Sequence, residues 1–320
     1  MHLHELPTGT HELLALVARR YFVEDRTKLD IARELGLSRF KVARLLDQAR
    51  DSGVVTITVT EPDPIDHELS TRLRDHFGLR EAVVVRADEA ASREIVGAAA
   101  AHWLERSLSQ GEILGLGWGR TLASMVDAIR SMPAVTVVQL CGSVGSHFTG
   151  SPVELVRQTA LASGGRAYPV YAPLLVDNAE TAAALRRQPD IAAALAQYDS
   201  VTTAVLSVGS WDPPSSQLRE WMDPIEREEL LRRGVRAEIS ALFLGDDGEL
   251  VGLDYAERCL SITAEQLRRV PQVAAVAGGA NKARAVRAAA AARLLTVIVT
   301  DVALAEAVMA LPPVVAAVNR

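Results

Sequence analysis

The sequence predicts an α/β protein in which a helix-turn-helix domain, winged-helix-like, precedes a doubly wound parallel-sheet domain. Three observations lead to this prediction. Apolar residues recur at helical spacing near the start of the chain, a segment rich in Pro and acidic residues follows, and short apolar runs then alternate with helical patterns. The predicted boundaries are 1–59 for the first domain, 60–66 for a linker and 67–320 for the second domain.

Composition sets the class of protein. A chain of 320 residues is long enough for two buried cores, and its 49% apolar and 23% charged content is typical of a soluble globular protein. The longest apolar region is interrupted by Arg293, Asp301 and Glu306, so no membrane span is predicted. Without a secretory signal pattern, and with two cysteines that cannot form a disulfide framework, the chain is predicted to be cytoplasmic.

The first domain is predicted to contain three helices. The first lies in "HELLALVARRYFV", the second starts at the N-cap Thr27 with Leu29 on its apolar face, and the third starts at the N-cap Ser38 and ends near Gly53. The second and third helices, joined by "ELGLS", form a helix-turn-helix in which Gly36 supplies the left-handed turn.

Outward positions at the start of the third helix are predicted to contact double-stranded operator DNA. They are Ser38, Arg39, Phe40, Lys41 and Arg44. A recognition helix places such positions against base edges and phosphates in the major groove. Residues 26–50 hold seven basic and three acidic residues, a charge of +4 in a chain of net charge −6. A ligand-free three-helix subdomain explains the apolar positions equally well, but not this basic face.

The segment after the third helix is predicted to connect the two domains. "VVTITV", residues 54–59, alternates as a strand and would form a small wing or a link. The linker 60–66 contains two prolines and three acidic residues, and "HELSTRLRDHFGL" follows as an amphipathic helix that could pack on a partner chain.

The second domain is predicted to contain eight strands, most of them separated by helices. Their sequences are "EAVVV", "EILGLG", "VTVVQLCG", "RAYPVYAP", "SVTTAVLSVG", "AEISALFL", "VAAVAGG" and "LLTVIVTD". Continuous apolar strands alternating with helices are typical of a parallel sheet covered on both faces.

Four glycine-rich or polar loops follow these strands, at 115–121, 140–146, 206–210 and 277–282. In a doubly wound sheet, ligands bind beyond the carboxyl ends of the strands, so the four loops predict a pocket. Glycines let backbone N–H groups approach an anionic or hydroxylated ligand, and Arg120, Thr121 and Lys282 could supply charge and a hydroxyl. Because "GLGWGRT" completes neither the dinucleotide fingerprint nor a Walker loop, no nucleotide cofactor is predicted.

The sequence contains no pattern that predicts catalysis. His147 lies in a candidate loop and Cys141 lies at a strand end, but a lone loop histidine and a structural thiol explain them more simply. The acidic residues beside the loops form no recognisable acid/base pair. They are Asp177, Asp246, Asp254 and Asp301. No Cys or His pair has metal-ligand spacing, so neither a catalytic residue nor a metal is predicted.

Three segments resemble the SorC family of sugar-responsive bacterial transcriptional regulators. They are "IARELGLSRFKVARLLDQARDSGVVTITV", "GLGWGRTL" and "VAGGANKARAVRAAAAARLLTVIVTDVALAEAV". The resemblance implies an effector domain related to ribose-5-phosphate isomerase and glucosamine-6-phosphate deaminase. It also implies a homodimer or homotetramer that regulates a carbohydrate-metabolism operon, with operator affinity controlled by a sugar phosphate, sugar or polyol. The alternatives are an isomerase- or deaminase-like enzyme with an accessory helical domain, and a second domain that serves only assembly.

By position, the resemblance implies which residues touch the effector. They are Gly117, Gly119, Arg120, Thr121, Gly142, Ser143, Ser207, Gly209, Gly278, Gly279 and Lys282. Lys282 is the leading candidate for a phosphate partner, with an ordinary exposed lysine at a helix start as the alternative. No cofactor and no metal is predicted.

Overall fold

The computed structural model describes residues 10–55, 64–144 and 150–313. The chain divides into two compact units, Met1–Asp63 and Pro64–Arg320. Within the described ranges, every helix is too short or too polar to cross a membrane.

The first unit is a three-helix cluster. Its helices are α1 (Thr10–Phe22), α2 (Lys28–Leu35) and α3 (Arg39–Asp51). Thr27 caps α2, because its hydroxyl oxygen accepts the Asp30 N–H at 3.2 Å, and Gly36 ends α2 with a φ of 65°. The placement of Leu29 on the apolar face is wrong: 47% of it is exposed, because the buried face of α2 is centred on Ile31 and Leu35.

The connection between the units is described only in part. Val54 and Val55 pack against the three-helix core, while residues 56–59 of the predicted strand and residues 60–63 of the predicted linker lie outside the described residues. The last part of the predicted linker is ordered: the Arg86 N–H donates to the Pro64 carbonyl at 2.8 Å, and Asp66 caps the next helix through the Leu69 N–H at 3.0 Å.

Among the described residues of the second unit, ten strands form two sheets. The strands are β1 (Glu81–Val85), β2 (Ile113–Leu116), β3 (Thr136–Gln139), β4 (Arg166–Tyr168), β5 (Thr203–Ser207), β6 (Gly209–Ser210), β7 (Ala237–Ile239), β8 (Leu242–Leu244), β9 (Gln272–Val276) and β10 (Val297–Asp301). Seven form a parallel sheet in the order β1-β10-β9-β5-β2-β3-β4. The prediction of an α/β protein with a helical N-terminal region and a parallel sheet is confirmed. The strand order changes direction between β2 and β5, which is where ligands bind in such sheets.

Helices pack on both faces of this sheet, and twelve α-helices occur in the described part of the second unit. They are α4 (His67–Phe77), α5 (Ser92–Ser107), α6 (Arg120–Ala128), α7 (Pro152–Ser163), α8 (Ala179–Arg186), α9 (Pro189–Leu195), α10 (Gln217–Trp221), α11 (Pro224–Arg232), α12 (Leu253–Arg258), α13 (Ala264–Arg269), α14 (Ala283–Ala291) and α15 (Val302–Met309). Alternate residues of β1 enter different cores: Val83 and Val85 belong to one, Ala82 and Val84 to the other. Burial on both faces explains why the strands read as continuous apolar runs.

One predicted strand is wrong. "AEISALFL" was expected to be a single strand, whereas it forms the antiparallel hairpin of β7 and β8, which joins β6 in a separate three-stranded sheet. The turn residues Ser240 and Ala241 have φ values of 49° and 63°. Two positive φ values in a two-residue hairpin turn favour Asn or Gly, so Ser-Ala at these positions concealed the turn.

Candidate functional site

A cavity of about 510 Å³ lies at the carboxyl ends of β2, β5, β9 and β10, at the point where the strand order reverses. Loops after these strands form most of its wall. The described residues that line it are Ala87, Glu89, Ser92, Arg93, Trp118, Gly119, Arg120, Thr121, Ser207, Val208, Gly209, Ser215, Ser216, Gln217, Glu238, Gly278, Gly279, Ala280, Asn281, Lys282, Asp301 and Ala303. This volume suits a small polar ligand.

The loop between β2 and α6 is held against the end of β5. The Ser207 hydroxyl donates to the Trp118 carbonyl at 2.6 Å. Gly119 has a φ of 144°, and a Cβ there would lie 2.7 Å from the Ser207 Oγ, so only glycine fits this close approach. The glycine places Arg120 and Thr121 in the cavity wall at the start of α6, where helix N–H groups favour an anion.

Lys282 brings positive charge to the same wall. Its Nζ donates to the Val208 carbonyl at 3.0 Å. Burial, followed by the nearby cations Arg120 and Arg93, lowers the pKa of Lys282 to about 8, although Glu238 and Asp301 oppose the shift. Three cationic side chains therefore converge on the cavity, and an anion placed among them would relieve their mutual repulsion.

Glu238 supplies a buried carboxyl group to the cavity wall, close enough to Lys282 to act on its pKa. Its two oxygens accept the Ser216 hydroxyl at 3.0 Å and the Ala241 N–H at 3.3 Å. Burial raises the pKa of Glu238, while these hydrogen bonds act in the other direction. Gly209 makes room for this carboxyl group, because a Cβ at residue 209 would lie 2.2 Å from its Oε1. The Glu238 carboxyl group can accept a hydrogen bond from a ligand hydroxyl or, when protonated, donate one to it.

Asp301 fixes the loop after β9. Its Oδ2 accepts the Gly279 N–H at 2.9 Å and also the Ser92 hydroxyl, and its Oδ1 accepts the Leu304 N–H at 2.8 Å. One carboxylate thus holds the glycine loop, the start of α5 and the start of α15 together. Such a residue positions the cavity wall.

Replacing Gly278 with alanine should damage this arrangement. The new Cβ would lie 2.6 Å from the Ser92 Oγ and 2.9 Å from the Asp301 Oδ2, so we expect a loss of about 1 to 3 kcal/mol in the free energy of unfolding. Thermal unfolding measures the loss. In combination with Ser92→Ala, which removes the nearer obstacle, the loss should be smaller than the sum of the two single effects. If the two losses in unfolding free energy were strictly additive, the Ser92 side chain would not be the group that clashes with a Cβ at residue 278.

The structure brings together eight of the predicted effector-binding residues and leaves three elsewhere. Gly117, Gly142 and Ser143 do not line the cavity in the described part of the chain. Their N–H groups donate to the carbonyls of Val205, Leu260 and Ala172 at 2.9, 2.7 and 2.8 Å respectively. The predicted loop 140–146 is therefore committed to backbone pairing over its first residues, while residues 145–149, with His147, lie outside the described residues.

Several cavity residues were missed by the sequence analysis. Ser92 and Arg93 follow β1, but the segment between them and β1 contains no glycine to draw attention to it. Glu238 was missed because the hairpin was predicted as one strand of the main sheet, and Ser216, the N-cap of α10, reaches the cavity beside it. Arg93 could have been found from its position at a helix start that follows a strand, because the carboxyl ends of all parallel strands lie at the same edge of the sheet.

The catalytic candidates are occupied in other roles. Burial raises the pKa of the Cys141 thiol, which keeps it protonated and unreactive. Asp246 pairs with Arg284, and Asp254 pairs with Arg233 at 2.8 Å. Neither of these two acids nor Asp177 lines the cavity within the described ranges. No group of three or more potential ligands for a metal ion occurs among the residues that the structure describes.

The first unit presents a second candidate surface on α3. Ser38 caps the helix by accepting the Lys41 N–H at 3.1 Å, which leaves Arg39, Phe40 and Arg44 exposed and Lys41 half-buried. Across residues 10–55, no carboxylate pairs with these three basic side chains. Three other arginines of this range are paired: Arg20 with Glu34 at 2.9 Å, Arg26 with Glu34 at 3.6 Å, and Arg50 with Asp47. Cations without carboxylate partners at one helix start attract a polyanion more strongly than cations that already form ion pairs.

Comparisons with known proteins identify the family of the chain. The family model described as "Putative sugar-binding domain" matches residues 65–310. The transcriptional regulator LsrR of Enterobacter sp. (strain 638) is 32% identical over 308 residues, covering 94% of this chain and 93% of that protein. The chain belongs to the SorC family of sugar-binding transcriptional regulators. The sorbitol operon regulator of Klebsiella pneumoniae is 28% identical over 305 residues, covering 92% of this chain and 96% of that protein.

Solved structures of the SorC family have the same fold. The crystal structure of the full-length sorbitol operon regulator SorC from Klebsiella pneumoniae matches with a TM-score of 0.72 at 26% identity, covering 92% of this chain and 98% of that one. A domain of a possible sugar-binding transcriptional regulator from Arthrobacter aurescens TC1 matches with a TM-score of 0.70 at 26% identity, covering 77% and 99%. The family resemblance is confirmed. Because the curated relatives are regulators, the prediction that the chain is not an enzyme is also confirmed.

Proposed function

We propose that this SorC-family protein regulates a carbohydrate-metabolism operon and that a phosphorylated sugar in the cavity controls its affinity for operator DNA. The observation that carries the choice of a phosphate is the convergence of Arg93, Arg120 and Lys282 on one cavity wall. An unphosphorylated sugar or polyol would leave the repulsion among these cations relieved only by nearby carboxyl groups such as Glu238 and Asp301.

The cavity lining offers partners for both the phosphate and the hydroxyls of such an effector. The phosphate would lie at the start of α6, between Arg120 and Lys282, where helix N–H groups and cations act together. The sugar hydroxyls would face Glu238 and Ser216, whose existing hydrogen bond at 3.0 Å holds the carboxyl group in place. A buried acceptor of this kind rejects a ligand that lacks the matching hydroxyl, because the carboxyl group would lose its partner.

In the first unit, α3 would enter the major groove of the operator. Ser38, Arg39, Phe40, Lys41 and Arg44 would then contact phosphates and base edges. We propose a homodimer or homotetramer in the cytoplasm, in which pairs of α3 helices bind two half-sites one helical turn or a multiple apart. Effector binding would change operator affinity by roughly 5- to 150-fold, a coupling of about 1 to 3 kcal/mol.

Effector binding should depend on pH through Lys282. A bound phosphate would raise the lysine pKa above its value of about 8 in the ligand-free protein, so binding would take up a proton above that pH. The affinity is therefore expected to be full below pH 8 and to fall by up to about tenfold per pH unit as the pH rises above it. Calorimetric titration between pH 7 and 10 measures this slope. In Lys282→Arg, which stays charged, the affinity should remain constant over the same range.

A thermal-unfolding screen tests the proposed function. Sugar phosphates are compared with the matched unphosphorylated sugars and polyols. A phosphorylated effector at about 100 times its Kd should stabilise the protein by roughly 2.7 kcal/mol. Equal stabilisation by the unphosphorylated counterpart would contradict the phosphate assignment, and no stabilisation by any compound would favour a second unit that serves only assembly.

A further inference from the structure

Phe40 is the most exposed large apolar side chain among the described residues, with 87% of its surface accessible. Within residues 10–55 it is not part of the hydrophobic core, which other residues of α1, α2 and α3 form. An accessible phenyl ring leaves apolar area in water that a partner could bury.

The surroundings of Phe40 indicate the chemistry of that ligand. It is the second residue of α3, with Arg39 beside it and Arg44 four residues later on the same face of the helix. Ala43, partly buried and small, lies between them and lets another molecule approach closely. An apolar ring flanked by unpaired arginines suits an apolar group carried on a polyanion, whereas an apolar protein surface would leave both arginines without partners.

We propose that Phe40 reads the C5-methyl group of a thymine in each operator half-site. In the major groove, thymine is the base that presents a methyl group, and phenylalanine and alanine are side chains that contact it. The flanking arginines would bind phosphates or a guanine edge and hold the ring at that step. This inference rests on the proposed function, and it deepens that function by naming a base and the residue that selects it.

A deoxyuridine scan tests the inference. The operator is first selected from a random library with the full-length protein, and each thymine is then replaced in turn by deoxyuridine, which lacks only the methyl group. Fluorescence anisotropy gives the dissociation constant. For the wild-type protein, one thymine per half-site should be sensitive, with a loss of about three- to tenfold on replacement. Phe40→Ala should bind the thymine operator and its deoxyuridine counterpart with equal affinity. For Phe40→Leu, the ratio of the two dissociation constants should lie between those of the wild type and Phe40→Ala.

Two controls give each result a meaning. Val23→Ala removes a side chain that is 75% exposed in the same unit but outside α3, and should keep the full methyl preference. A selected operator in which no thymine is sensitive, or a Phe40→Ala variant that keeps the wild-type preference, would overturn the inference alone. This second outcome includes the case in which Phe40→Ala weakens binding to the thymine and the deoxyuridine operator by the same factor. Failure to select any sequence would overturn the proposed function as well.

Discussion

Replacing Lys282 with methionine is expected to abolish the response to a phosphorylated effector while leaving the fold and operator binding intact. Methionine keeps a similar length but removes the charge that would face the phosphate. Losing one member of a buried, charged hydrogen bond costs about 2 to 5 kcal/mol, so the effector Kd should rise at least roughly thirtyfold. Isothermal titration calorimetry with the effector identified by thermal unfolding measures the change.

The fold should tolerate this substitution. Lys282 donates one hydrogen bond, to the Val208 carbonyl, and burial of its ammonium group already opposes the charged form. The melting temperature is therefore expected to stay close to that of the wild type, and Lys282→Arg should retain part of the affinity. An unchanged effector Kd in Lys282→Met would show that the lysine is an ordinary residue at a helix start.

Replacing Arg44 with alanine should cost operator affinity and nothing else. Arg44 is exposed on α3 and has no carboxylate partner within residues 10–55, so its removal leaves no buried charge uncompensated. If it binds a base edge with two hydrogen bonds, operator affinity should fall by roughly 5- to 150-fold, about 1 to 3 kcal/mol. Anisotropy titrations at fixed salt concentration measure the fall.

Arg50 provides the matched control on the same helix. It is exposed and paired with Asp47, so Arg50→Ala should change operator affinity much less than Arg44→Ala does. The effector Kd should be unchanged in both variants. Equal effects of the two substitutions would indicate a general loss of positive charge in place of a specific contact at Arg44.

Periodicity and capping residues were sufficient to predict the regular elements. Thr27, Gly36 and Ser38 act as the predicted caps and turn, because short-range hydrogen bonds and a positive φ depend on neighbouring residues alone. The parallel strands were also predictable, since burial on both faces leaves continuous apolar runs. The hairpin at Ser240 and Ala241 was not, because its turn uses residues that carry no turn signal.

The cavity was predictable only where glycine marks a close approach. Gly119, Gly209 and Gly278 each leave space that a Cβ would fill against a neighbouring loop, and the glycine pattern found them. Glu238 was not found, because it reaches the cavity wall only when the β7–β8 hairpin packs against loops that are distant in sequence. Gly142 packs closely against the backbone of Pro173 and is not part of the described cavity wall, a use of glycine that the sequence pattern does not distinguish from a ligand contact.

The operator dissociation constant, measured with and without the identified sugar phosphate in wild-type protein and in Lys282→Met, tests the central claim most directly. We expect the effector to change the wild-type constant at least about fivefold, in either direction, and to leave the Lys282→Met constant unaltered at the same concentration. A wild-type constant that does not respond to a sugar phosphate bound in the cavity, or an equal response in Lys282→Met, would contradict control of DNA binding through this site.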